Sequence, residues 1–262
     1  MYEINILEGL PGAEKYENTQ SLPKWLNFVG VGKIGKTKFL VALKEHLRIA
    51  YLDCDPLKGT KSYKGTFLVC STYEDLESWA NKLEVYRDHF KTDIVVIDTL
   101  DGMYELIERK ICKEYNTSDL SEIKIPQVGN GWSIAYGRYK DLISRLMAVC
   151  KCIITICHTK DVKVGKSEIM QQFQTQLNLP AGLQIWSYNT ADANMWLSVT
   201  QDDQSSSPYL RVSANSTDPY RDFQGGCRPF DGLLEASNEM LLKEYLIQNF
   251  KQITTGEENV RS

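Results

Sequence analysis

The stretch Gly30-Val31-Gly32-Lys33-Ile34-Gly35-Lys36-Thr37 satisfies the pattern G-x-x-x-x-G-K-[ST] at every position. Each residue type suits the gripping of phosphate. Gly30, Gly32 and Gly35 carry no Cβ, so the backbone can bend tightly and bring its N–H groups against phosphate oxygens. Lys36 supplies a point charge for the β- and γ-phosphates. The Thr37 hydroxyl is a ligand for Mg2+, which prefers oxygen donors. Thr37 also opens a helix, whose N-terminal dipole favours an anion. The candidate nucleotide-binding set is therefore Gly30, Val31, Gly32, Lys33, Ile34, Gly35, Lys36, Thr37 and Lys38.

A second chemical signal is Asp93-Ile94-Val95-Val96-Ile97-Asp98. Its unbroken β-branched run marks a strand buried on both faces of a parallel sheet. Ending in Asp downstream of a phosphate loop, it places Asp98 to hold Mg2+ through water or to accept from Thr37. Thr37 and Asp98 are the candidate metal residues. Two more polar residues follow strand-like runs: Asp55 after residues 48–53, and His158 after residues 152–157. Lys36, Asp55, Asp98 and His158 form the candidate catalytic set.

These residues need a frame to hold them. Residues 24–29 read as a strand entering the loop, and 38–47 as a helix burying Phe39, Leu40, Leu43 and Leu47. Residues 48–53 form a second strand that ends in the polar corner Asp53-Cys54-Asp55-Pro56, and 66–70 a short one. Thr72 and Asp75 have capping-box spacing for a helix running to about residue 90. A helix over 103–115 follows Asp98, then a polar, turn-rich stretch over 116–131. Residues 132–149 read as a long amphipathic helix with Trp132, Ala135, Tyr139, Ile143 and Leu146 on one face. Residues 160–180 read as a long polar loop, 193–200 and 209–213 as a β-hairpin, and 235–250 as a terminal helix.

The pattern implies an α/β three-layer domain over 22–235, with a mostly parallel central sheet and a C-terminal β-hairpin. Residues 1–21 read as a loose lead-in with one short strand at 2–7, and 236–262 as a C-terminal helix and tail. Ligands on such sheets bind at the carboxyl ends of the strands, where Gly30, Asp55, Asp98 and His158 all fall.

Composition narrows the function classes. At 262 residues the chain is one large or two small domains. Its net charge of −4 gives no global basic field for nucleic acid, so any such contact must be local. The seven cysteines form no C-x-x-C pair, and several lie in apolar runs, as buried free thiols do in a reducing compartment. No signal sequence and no membrane-length apolar run is seen, so a soluble cytoplasmic protein without a membrane partner is the expectation.

Taken in order, several segments carry a family resemblance. They are the loop 30–37, the strand end Tyr51-Leu52-Asp53-Cys54-Asp55, the strand 94–98, Gly129-Asn130-Gly131-Trp132 with its long helix, and Ile153-Ile154-Thr155-Ile156-Cys157-His158. Together they resemble the phage nucleotide-binding proteins of the RecA-like AAA type, a group that includes RecA-like single-strand annealing proteins. The resemblance covers about residues 22–235. It implies a RecA-like P-loop NTPase fold, ATP and Mg2+ as cofactors, ATP hydrolysis, and work in phage recombination, annealing or replication in a bacterial cytoplasm. In RecA-like proteins a carboxylate just after the second strand positions the attacking water. The matching residue is Asp55, shorter than the usual Glu by one methylene, with Asp53 as the alternative. His158, at its strand end, would sense the γ-phosphate or that water and pass its state to the following loop.

The resemblance also points at loops 117–131 and 160–180 as surfaces for single-stranded DNA. The second holds Lys160, Lys163 and Lys166, which can pair phosphates, and Phe173, which can stack a base. It further implies a homo-oligomer, a ring or filament, with a basic residue supplied by the next subunit. Arg211, Arg221 and Arg228 are the candidates. A phage single-strand-binding or replication protein is the implied partner. Two other classes fit parts of the pattern. One is a weakly or non-hydrolysing nucleotide switch that loads a replication partner, which Asp55 in place of Glu keeps open. The other is a P-loop small-molecule kinase, against which the long polar loops and the lack of an arginine-paired lid argue.

Overall fold

The structure is a computed structural model that describes residues 22–55, 59–126, 129–164, 172–200, 209–213, 233 and 235–251. In chain order its elements are β1 (Trp25–Val29), α1 (Lys36–Ala42), β2 (Ile49–Asp53), β3 (Leu68–Val69), α2 (Tyr73–Val85), α3 (Arg87–Phe90), β4 (Ile94–Asp98), α4 (Leu100–Tyr115), β5 (Lys124–Ile125), β6 (Gly129–Asn130), α5 (Gly131–Val149), β7 (Cys152–Cys157), β8 (Thr159–Val164), β9 (Gln172–Leu177), α6 (Ala181–Thr190), β10 (Ala193–Thr200), β11 (Tyr209–Ser213) and α7 (Glu239–Phe250).

The apolar runs assemble into one sheet of order β11-β10-β1-β7-β4-β2-β3, parallel throughout except for the antiparallel β10–β11 pair. Every residue of β1, β4 and β7 is buried, as strands covered on both faces require. Alternate residues feed two cores. Trp25, Val29, Val95, Ile97 and Ile153 pack with α2, α4 and α5 on one face. Leu26, Phe28, Ile94, Val96 and Ile154 pack with α1 and α7 on the other. The result is a three-layer α/β sandwich with a RecA-like P-loop NTPase topology.

The order matters for chemistry. β7 lies between β1 and β4, so the residue after β7, His158, falls between the phosphate loop and Asp98. A polar ladder crosses the neighbouring strands β7, β1 and β10. Trp25 Nε1 donates to Thr155 Oγ1 at 2.8 Å, Thr155 Oγ1 to Asn27 Oδ1 at 3.1 Å, and Asn27 Nδ2 to Asn194 Oδ1 at 3.0 Å. All four side chains are buried and each finds a partner, so the ladder selects one register at no orphan cost.

Several sequence expectations change. The stretch 160–180 is not loop throughout: residues 160–164 and 172–177 belong to the antiparallel pair β8–β9, in which Lys163 stands opposite Phe173, and residues 165–171 lie outside the described residues. The apolar residues of the pair, Val162, Val164, Phe173 and Leu177, are few among Lys, Asp, Thr and Gln, so the strand period is faint. Helix α6 was not expected. The helix read as running to residue 90 breaks at Tyr86 into α2 and α3, though the Thr72–Asp75 capping box is present. Helix α4 begins at Leu100, earlier than residue 103, because Thr99 caps it by accepting from Gly102 N at 3.0 Å. The expected strand at 2–7 lies outside the described residues. Cys54, Cys70, Cys112, Cys150, Cys152 and Cys157 are free thiols, and Cys227 lies outside the described residues. No helix among the described residues is long and apolar enough to cross a membrane.

Gly102 locks α4 against the end of β2. A Cβ there would stand 2.2 Å from the Cys54 carbonyl oxygen, a backbone atom that cannot swing away. Gly102→Ala is expected to cost about 2–4 kcal/mol in urea unfolding. Gly137→Ala, where a Cβ meets nothing within 4 Å, should instead be neutral or stabilise the helix by up to about 1 kcal/mol.

Candidate functional site

The loop after β1 is shaped by its glycines. Gly35 adopts φ 102°, which an L side chain rarely tolerates, and a Cβ on Gly30 would stand 2.5 Å from the Leu197 carbonyl oxygen. Lys36 is buried, and its Nζ donates to the carbonyls of Gly30 at 2.8 Å and Val31 at 2.7 Å. Burial pulls the Lys36 ammonium down to about 8, with the charges of Asp98, Cys157 and Asp101 opposing. Val31, Gly32, Lys33 and Lys38 are exposed, while Ile34, Gly35 and Thr37 are half-buried.

Asp98 is brought directly to the loop. Thr37 Oγ1 donates to Asp98 Oδ2 at 2.7 Å, and Tyr51 OH donates to the same oxygen at 2.6 Å. Burial raises the affinity of the Asp98 carboxyl for a proton, and these two hydroxyls only partly oppose it. The Asp98 backbone carbonyl accepts from the amides of Cys54 at 2.6 Å and Asp55 at 2.9 Å. Asp55 is therefore held half-buried at the same rim. Asp53 is fully buried and accepts from the Thr60 hydroxyl and from the Asp55 amide at 3.1 Å.

His158 is neither free nor alone. Its Nδ1 lies 3.0 Å from Asp101 Oδ2, and its backbone N–H donates to Asp101 Oδ1 at 3.2 Å. The Asp101 hydrogen bond raises the His158 imidazole above 6.5, against burial. Burial pushes the Asp101 carboxyl upward, but the hydrogen bonds and charge of His158 outweigh it and hold the group below 3.8.

The arrangement gathers Lys36, Thr37, Asp55, Asp98 and His158 at one sheet edge. Lys160 is exposed on β8, Lys163 and Phe173 share a register position further along the β8–β9 ladder, and Lys166 lies outside the described residues. Arg211 is exposed on β11, while Arg221 and Arg228 lie outside the described residues. Sequence reasoning missed Tyr51 and Asp101. With Asp53 opposite Asp98, Tyr51 is a diagonal neighbour that a long side chain reaches. An acid in the first turn of a helix after Asp98 was the available hint for Asp101.

An oxygen-rich pair such as Thr37 and Asp98 suits Mg2+, which takes one or two protein ligands and completes its shell with phosphate and water. Among the described residues no group of three or more His, Cys, Asp or Glu could hold a metal.

The family described as AAA domain matches residues 25–194, most of the chain. The chain belongs to the AAA domain family. It is accordingly a nucleotide-binding P-loop ATPase domain. No curated protein sequence matches it. Solved structures similar to this AAA domain include the flagellar accessory protein FlaH from Methanocaldococcus jannaschii, at 12% identity and TM-score 0.38, covering 73% of this chain and 78% of that one. Another is a prototypical ATPase from the type III secretion system of pathogenic bacteria, at 12% identity and TM-score 0.43, covering 67% of this chain and 52% of that one.

Two pH effects follow for the AAA domain. The His158–Asp101 pair stabilises the fold fully only above the ordinary Asp pKa and below the ordinary His pKa, and is lost as pH rises through the raised His158 value. Asp101→Asn should therefore cost about 1–3 kcal/mol near pH 6 and less near pH 8, read from urea unfolding. A phosphate beside Lys36 raises its pKa, so nucleotide binding at about pH 8.5 should take up a proton, and take up less at about pH 7. Calorimetry in buffers of different ionisation enthalpy measures that uptake.

Proposed function

We propose that the protein is a Mg2+-dependent ATPase that acts on single-stranded DNA in phage recombination, annealing or replication. One observation carries the ATPase reading: the Thr37 hydroxyl meets the Asp98 carboxylate at 2.7 Å, beside a loop whose Lys36 is seated against loop carbonyls. Mg2+, when bound, supplies charge neutralisation on the phosphates. The loop amides and Lys36 grip and orient the triphosphate. Asp55 orients a water whose oxygen bonds to the γ-phosphorus as the bond to the β–γ bridging oxygen breaks. ADP departs, and the water's proton leaves with the phosphate product. Asp53, with its carboxylate engaged by Thr60 and the Asp55 amide, is the weaker candidate for that task. His158, held by Asp101, is the candidate for sensing the γ-phosphate.

The DNA reading is supported by the family resemblance and by how the hairpin is attached. β8 begins immediately after His158, and Asn178 N–H beyond β9 donates to the His158 carbonyl at 2.8 Å. A change at His158 thus has a direct mechanical outlet. Lys160, Lys163 and Phe173 of the hairpin, with Lys166, are the residues proposed to meet phosphates and a base. A ring or filament of copies, with an arginine such as Arg211 supplied in trans, would complete the site, and a phage single-strand-binding or replication protein is the proposed partner. Two observations favour a second reading, a nucleotide switch with little turnover. Asp55 is short, and Asp98 is followed by Thr99, which is occupied in capping α4.

ATP hydrolysis measured with and without single-stranded DNA separates the two. We expect stimulation by DNA, loss of nucleotide binding in Lys36→Ala, and a roughly 100-fold fall in kcat with retained binding in Asp55→Asn. Tight binding without turnover in either condition would favour the switch. DNA affinity should fall steeply with salt, and a flat dependence would defeat the hairpin contact.

A further inference from the structure

β3 is two residues long and pairs only with Leu52 and Asp53. Among the described residues, Ile49, Ala50 and Tyr51 of β2 therefore have no strand on their outer side. A cavity of about 340 Å3 opens there. It wraps the sheet edge, with Ile49 and Tyr51 belonging to the α1 layer and Leu68, Trp79 and Leu83 to the α2 layer. The volume lies within the span of small-molecule sites, about 300–1,000 Å3, which are mostly apolar with a few placed polar groups.

The charged lining is of one sign. Lys44, Arg48 and Lys82 line the cavity, and among the described residues no carboxylate does. Arg48 is engaged by Asp93, at 3.2 Å and 3.1 Å through two nitrogens. Lys44 and Lys82 have no carboxylate within ion-pair distance among the described residues. The Lys44 ammonium donates to the Thr66 carbonyl and lies 4.2 Å from the Phe67 ring centroid, and the Lys82 ammonium lies 4.2 Å from that of Trp79. Burial also lowers the Lys44 pKa, a cost that a nearby anion would relieve. Two cations resting on aromatic rings at an apolar cavity are matched by a ligand with a negative head and an apolar body.

We propose that this cavity is a second ligand site, separate from the phosphate loop, that takes a small apolar carboxylate, its body against Trp79 and Leu83 and its charge met by Lys44 and Lys82. The Tyr51 ring that lines the cavity is the one whose hydroxyl holds Asp98, so the occupant would touch a residue of the nucleotide site. The proposal does not depend on ATP turnover or on DNA.

The test is a competition on the full chain without nucleotide. The probe is 1-anilinonaphthalene-8-sulfonate, and the competitors are 4-phenylbutyrate and its uncharged counterpart 4-phenylbutanol. We expect one probe per chain, displacement by the acid, and at least about ten-fold weaker competition by the alcohol. Lys44→Ala combined with Lys82→Ala should weaken the acid by about ten-fold or more and leave the alcohol unchanged. Lys82 is exposed, so Lys82→Gln alone keeps the fold and should weaken the acid about three-fold. Equal competition by acid and alcohol, wild-type affinity for the acid in Lys82→Gln, or no displacement would each overturn the proposal.

Discussion

A single carboxylate oxygen, Asp98 Oδ2, accepts hydrogen bonds from two hydroxyls in a site almost without solvent. One comes from the first turn of α1 and the other from the middle of β2. The backbone carbonyl of the same residue accepts the two amides that follow β2. Asp98 thus ties together the phosphate loop, the second strand and the polar corner. Hydrogen bonds to charged groups are each worth about 1.5–3 kcal/mol, and leaving a buried carboxylate without them costs more. Movement of the loop, of β2 or of β4 must disturb this oxygen, so the three elements behave as one body.

The sheet order decides what else can join that body. With β7 between β1 and β4, the His158 backbone leaves the sheet beside both chemically active ends. The ring is then turned onto Asp101, in the first turn of the helix that Asp98 introduces. An ion pair of this kind does little as a surface contact, but here Asp101 is largely buried and accepts from both the ring and the backbone of His158. The hairpin β8–β9 leaves from the same point. A domain with the strands in chain order would separate these parts.

Much of this was legible in the residues. The glycine spacing, the β-branched run ending in Asp98 and the apolar run ending at Cys157 are local signals, each strong enough to survive without a partner. What was hidden depends on distance or on symmetry. Tyr51 and Asp98 lie 47 residues apart and Asp101 and His158 57 apart, and only strand register makes them neighbours. β8 and β9 carry few apolar residues, Val162 and Val164 in one and Phe173 and Leu177 in the other, and six residues each is short for a period of two to stand out. Helix α6 follows Pro180 with no side-chain cap, which removed the usual start signal.

The polar ladder through Trp25, Thr155, Asn27 and Asn194 sets a timetable for the nascent chain. β1 is made early, yet its partners arrive 128 and 167 positions later. Until residues near 197 have left the ribosome, the strand that carries the phosphate loop has no neighbour on its β10 side. Such distant pairing slows folding and leaves apolar strand edges open to aggregation in the meantime. A protein truncated ahead of β10 would keep every residue of its nucleotide motif and lack the strand that supports it.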